Sequence, residues 1–149
     1  MDLVSGALKI KNLILTDMNS NKFSLKLRFG SFKYAIRGFL SLLKNEHNSR
    51  IHLVGAIAAI GLGIIFKLNH YEWSLLVIVT GIVFLTELLN SSIESLADII
   101  DPEWNKLIMR AKDYSAAGVL ISAIVAIIIG GLIFIPKIWT LINSPAILK

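Results

Sequence analysis

Residues 114–136 read Tyr114-Ser-Ala-Ala-Gly-Val-Leu-Ile-Ser-Ala-Ile-Val-Ala-Ile-Ile-Ile-Gly-Gly-Leu-Ile-Phe-Ile-Pro136, without a charged side chain anywhere in the run. About twenty consecutive apolar residues in a helix cross the hydrocarbon core of a bilayer. The stretch therefore reads as a transmembrane span over about 117–135. Pro136 is expected to end it, because the proline ring clashes with the preceding turn. Two more charge-free runs, Leu53 to Phe66 and Trp73 to Thr86, grow into spans of about 51–68 and 73–89 once their flanks are counted. Between them, Lys67-Leu-Asn-His-Tyr-Glu-Trp73 carries the aromatic and charged residues typical of a membrane surface. The fold class is all-α and integral to a membrane, with three transmembrane helices.

Composition agrees. Of 149 residues, 55% are hydrophobic and only 17% charged, against about a quarter charged in soluble domains. There is no cysteine, so disulfides and thiolate metal sites are excluded. Basic charge does not imply a nucleic-acid partner here. Lys9, Lys11, Lys22, Lys26, Arg28, Lys33, Arg37, Lys44 and Arg50 precede the first span, and Lys106, Arg110 and Lys112 occupy the second connection. Cytoplasmic loops are enriched in Lys and Arg, so the N-terminus and the second connection read as inside, the first connection and the C-terminus as outside.

Residues 1–24 form a polar extension with no apolar run long enough for a signal peptide. Residues 25–136 are the membrane domain and 137–149 a C-terminal tail. From Leu25 to Asn45, Phe29, Phe32, Ile36, Phe39, Leu40 and Leu43 recur at helical spacing, with Arg28, Lys33, Arg37 and Lys44 on the other side. A basic amphipathic helix of this kind lies in the headgroup layer. Gly55, Gly61, Gly63, Gly130 and Gly131 permit close helix contact.

The chemistry gathers where span two ends. In Glu87-Leu-Leu-Asn-Ser-Ser-Ile-Glu-Ser-Leu-Ala-Asp98, residues Glu87, Asn90, Glu94 and Asp98 fall on one helix face at about 100° per residue. An ionisable group inside a span costs about 2.5–3.5 kcal/mol on insertion scales, which makes Glu87 a functional candidate. Stacked carboxylates repel unless a cation joins them, and hard oxygen ligands suit Mg²⁺ together with substrate phosphates. A second cluster, Asn45-Glu-His-Asn-Ser-Arg-Ile-His52, precedes span one, and a third, Arg110-Ala-Lys-Asp-Tyr114, precedes span three. There Lys112 suits phosphate charge, and Asp113 a metal or a ribose. Each cluster alone also fits a helix flank reaching into headgroups; three at one membrane depth point to a site.

These residues resemble the prokaryotic diacylglycerol kinase family, which includes undecaprenol kinases. The resemblance rests on Glu87 to Asp98, Arg110 to Asp113, Ala116-Ala-Gly-Val-Leu-Ile121, Ser31-Phe-Lys-Tyr-Ala35 with Gly38, and Asn45 to Arg50. It covers about Arg28 to Pro136. It implies a homotrimeric lipid kinase of the bacterial inner membrane, with composite sites near the cytoplasmic surface, that transfers the γ-phosphoryl group of MgATP to a lipid primary hydroxyl. Carried onto this chain, Glu87 is the general base, and Glu46 and Glu94 bind divalent metal. Tyr34, Lys112 and Asp113 contact the nucleotide, while Asn90, Asp98 and Arg50 organise the site. Asn48-x-Arg50-x-His52 looks more like the undecaprenol branch, whereas the family name favours diacylglycerol. His52 also fits a structural cap at the start of span one.

From the residues alone, intramembrane carboxylates also mark ion pathways, so a small cation or proton transporter is the alternative. Against it, the stripe lies at one end of span two and Ser122 alone would continue a path. A non-catalytic scaffold leaves Glu87 unexplained.

Overall fold

A computed structural model describes residues 25–100 and 105–143. Four helices follow in order: α1 Leu25–Asn45, α2 His47–Ile65, α3 His70–Ile100 and α4 Lys106–Ile142. The chain divides into two compact units, Met1–Gly38 and Phe39–Lys149. The extension 1–24 and the tail beyond Asn143 lie outside the described residues.

The first unit is described from Leu25, where α1 begins, to Gly38. Its described side chains are mostly exposed, including Phe32, Tyr34 and Ile36, and the Arg37 guanidinium lies 5.6 Å from the centre of the Tyr34 ring.

In the second unit, α1 ends one residue before α2 begins. Glu46 takes an extended conformation between them. Ser49 holds this break: its fully buried hydroxyl faces the carbonyls of Leu42 at 3.0 Å and Glu46 at 2.9 Å. Helices α2, α3 and α4 are each long and apolar enough to cross a membrane. At 1.5 Å per residue α2 is about 28 Å long, close to the hydrocarbon thickness, while α3 and α4 are about 46 Å and 55 Å and project beyond it. Only 11%, 22% and 17% of their most apolar stretches are buried, as suits surfaces that meet lipid or other copies.

The α2–α3 hairpin is closed by local chemistry. Lys67 adopts a positive φ of 50°. Asn69 and Glu72 then form a reciprocal cap: Asn69 Oδ1 accepts from the backbone N–H groups of Tyr71 and Glu72, and the Glu72 carboxylate accepts from Asn69 N–H at 2.8 Å. Leu68, Leu76, Ile133 and Phe134 form the core there, with Phe66 and Trp73 against it. Gly63 lets that core close, since a Cβ at this position would lie 2.8 Å from the Trp73 ring. Gly63→Ala is expected to destabilise the protein by about 1–3 kcal/mol, the usual effect of overpacking. A thermal melt in detergent matching wild type would refute the tight contact.

Antiparallel packing of α3 on α4 is pinned at several levels, and the partner number falls on one helix as it rises on the other. Glu72 pairs with Lys137 at 2.9 Å, Thr86 with Ser122 at 2.8 Å, Asn90 with Ser115 at 2.7 Å and Asp98 with Lys112 at 2.9 Å.

One expectation is corrected. Pro136 does not end its helix; α4 continues through it to Ile142. Proline forfeits only one backbone bond, to the Leu132 carbonyl, and membrane helices tolerate that loss by local adjustment. From Lys106 the charged residues before span three form the first turns of α4, with Asn105 Oδ1 accepting from Leu107 N–H at 2.9 Å.

Candidate functional site

A groove of about 320 Å³ opens between α2, α3 and α4. It is lined by Asn48, Ile51 and His52 from α2, Glu87, Asn90 and Glu94 from α3, and Ala116, Val119, Leu120 and Ala123 from α4. One end is polar; the wall from α4 is apolar. The 3.6-residue repeat places the three α3 residues on one face, and the cross-helix bonds fix the height at which α4 meets them.

Glu87 stands about 21 Å along α3 from Trp73, at the end of the apolar run. It is only 2% exposed. His52 Nε2 lies 3.0 Å from its Oε1. The two atoms are at ion-pair distance, yet the ring N–H is not aimed at the oxygen, and Oε1 has no aligned donor. Glu46 and Glu94 are both near enough for their charges to act on Glu87. A buried carboxylate oxygen without a donor is rare.

Farther along α3, Asn90 bridges two helices. Its amide donates to Glu94 Oε1 at 3.0 Å, and its Oδ1 accepts from the Ser115 hydroxyl of α4. Glu94 is half-buried, about 10 Å past Glu87. Asp98, exposed, does not line the groove and is paired with Lys112 instead. Lys112 precedes the apolar run of α4. The hydrogen bond and charge of Asp98 hold its ammonium above the usual lysine pKa, so it is cationic at neutral pH.

Glu46 is half-buried at the head of α2, and its carboxylate makes no capping bond there. Arg50 and Asp113 are exposed and do not line the groove. Tyr34 belongs to the first unit. Thus the structure brings Glu87, Asn90 and Glu94 to one groove, and Asp98 and Lys112 to one ion pair. Among the described residues, no three Asp, Glu or His side chains gather as a protein-built metal cage. Glu94 lines the groove and fits an ion that takes one or two carboxylates and completes its shell with substrate phosphates and water, the habit of Mg²⁺; Glu46, whose charge reaches Glu87, does not line the groove.

Sequence reasoning assigned neither the contact of His52 with Glu87 nor that of Ser115 with Asn90. His52, which fits a cap in the sequence, faces Glu87; its signal is a histidine at the depth of a buried acid. Ser115 gave no signal, because its role depends on the α3–α4 register.

The model of the family described as prokaryotic diacylglycerol kinase matches residues 33–134. An undecaprenol kinase of Bacillus subtilis (strain 168) is 34% identical over 122 residues, covering 82% of this chain and 99% of the relative. A diacylglycerol kinase of Synechocystis sp. (strain ATCC 27184 / PCC 6803 / Kazusa) is 32% identical over 112 residues, covering 74% of this chain and 64% of the relative. A diacylglycerol kinase of Escherichia coli (strain K12) is 34% identical over 95 residues, covering 64% and 78%.

Proposed function

The chain belongs to the prokaryotic diacylglycerol kinase family and is a lipid kinase, and we propose that it transfers the γ-phosphoryl group of MgATP to the primary hydroxyl of a membrane lipid alcohol held in the groove between α2, α3 and α4. The observation that carries this reading is Glu87, a buried carboxylate with an unaligned oxygen, on a wall that is apolar on one side and acidic on the other.

In this mechanism the lipid chain lies along Ile51, Val119 and Leu120 and its hydroxyl reaches Glu87. Glu87 takes the hydroxyl proton as the oxygen attacks the γ-phosphorus and the bond to the bridging oxygen of ADP breaks. Phosphoryl transfer is mostly positioning and charge neutralisation, which needs few covalent partners. Glu46 and Glu94 would hold Mg²⁺, whose charge offsets that of the β- and γ-phosphates. Lys112 binds phosphate oxygens once they replace Asp98 as its partner; Asp113 and Tyr34 contact the nucleotide. Asn90, pinned by Ser115, keeps Glu94 in place, and Arg50 and Asp98 order the polar rim.

The same reading sets residues 25–136 as the kinase domain, the start of α1 in the headgroup layer, and the assembly as a homotrimer in the bacterial inner membrane. The N-terminus and site are cytoplasmic and the C-terminus outside. The exposed apolar faces of the spans support burial by lipid and sister subunits. An ion pathway is not favoured, because Thr86 and Ser122, next along the bundle, satisfy one another.

Undecaprenol is the preferred acceptor. The undecaprenol kinase relative is matched over 99% of its length. The test is transfer of labelled phosphate from MgATP by purified protein, with undecaprenol and diacylglycerol in parallel. Labelled undecaprenyl phosphate is expected. Label in diacylglycerol alone would reverse the acceptor, and none in either, from folded protein, would refute the kinase reading.

A further inference from the structure

The groove contains one titratable side chain to which the mechanism above gives no task. His52 stands on α2 one turn after Asn48, and its Nε2 is 3.0 Å from Glu87 Oε1. Its side chain is 21% exposed and that of Glu87 only 3%. Glu87 is reached by Glu46 and Glu94 as further charged groups, and α4 presents only Ala116, Val119, Leu120 and Ala123 to the groove. Among the described residues, His52 is therefore the sole potential hydrogen-bond donor recorded at contact distance from the Glu87 carboxylate.

A base works only when its lone pair is aimed at the proton it takes, and many catalytic bases are aimed by a third group. A glutamate has three side-chain torsions, the last one broad. Left alone in a groove, Glu87 would swing among orientations and turn away from its two acidic neighbours. We propose that His52 is the positioning residue of this kinase: acting through Glu87, it pins Oε1 and leaves Oε2 facing the lipid hydroxyl. Nε2 already stands at hydrogen-bond distance from Oε1, and catalytic hydrogen bonds are often poorly aligned until substrate binds. The proposal rests on Glu87 being the base, and its test separates the two ideas.

Three variants of the full-length protein are compared in mixed micelles with the preferred lipid: Glu87→Gln, His52→Leu and His52→Gln. His52→Leu fills the space without a donor and is expected to lower kcat about a hundredfold, the scale of a misplaced catalytic group. The KM for MgATP should stay within about twofold. His52→Gln carries an amide N–H that reaches the same oxygen, and it is expected to recover most of the lost kcat. Wild-type kcat in His52→Leu, with Glu87→Gln inactive, would overturn the positioning role and leave the base intact. Equal losses in both His52 variants, with lowered melting temperature, would mark His52 as a packing residue and overturn the proposal. Turnover by Glu87→Gln would remove the base and the proposal together.

Discussion

Glu87→Gln is expected to lower lipid phosphorylation by about 10²–10⁴-fold, the usual contribution of a general base, while the protein remains folded. The substitution is nearly isosteric, so the packing that leaves Glu87 2% exposed is kept. It also removes an ionisable group from a membrane helix, where a charge is costly. Stability should not fall, and any loss of activity is then chemical. The neutral amide lacks the basic lone pair that accepts the hydroxyl proton. KM for MgATP should move little, because the nucleotide and its metal are assigned to other side chains. Steady-state kinetics beside a melting curve decide the matter: near-normal kcat would end the assignment of Glu87 as base.

The second large effect is expected from Glu94→Ala. Glu94 accepts the Asn90 amide through Oε1, and no second hydrogen bond to its carboxylate is recorded among the described residues. Removing it leaves Asn90 anchored through Oδ1 to Ser115, so the α3–α4 contact survives. What is lost is negative charge where the nucleotide's metal is proposed to sit. The Mg²⁺ concentration for half-maximal activity should rise at least about tenfold, equivalent to about 1.4 kcal/mol of binding, or activity should vanish. A titration at fixed ATP that overlays the wild-type curve would exclude ligation by this carboxylate.

Both predictions concern residues found from one-dimensional spacing. Glu87, Asn90 and Glu94 are related by the helical repeat alone, and the repeat holds because α3 is unbroken from His70 to Ile100. The stripe was therefore legible. Its partners were not. The Asn90–Ser115 and Thr86–Ser122 bonds join residues 25 and 36 positions apart. A shift of α4 by one turn against α3 would change both without altering any local pattern. Nor did the sequence show that Asp98 holds Lys112 rather than lining the groove.

By itself the sequence determined that three apolar stretches form membrane helices, where a polar face begins on the second, and that a basic helix precedes them. Hydropathy and helical periodicity are properties of adjacent residues, so no knowledge of packing was needed. Tertiary structure alone decided that His52 meets Glu87, that Ser115 anchors Asn90, and that α4 runs on through Pro136. The first two depend on the relative height and rotation of helices, which the closure at Gly63 and the cross-helix pairs fix. The third depends on surroundings in which a helix retains its remaining backbone bonds despite one lost to proline.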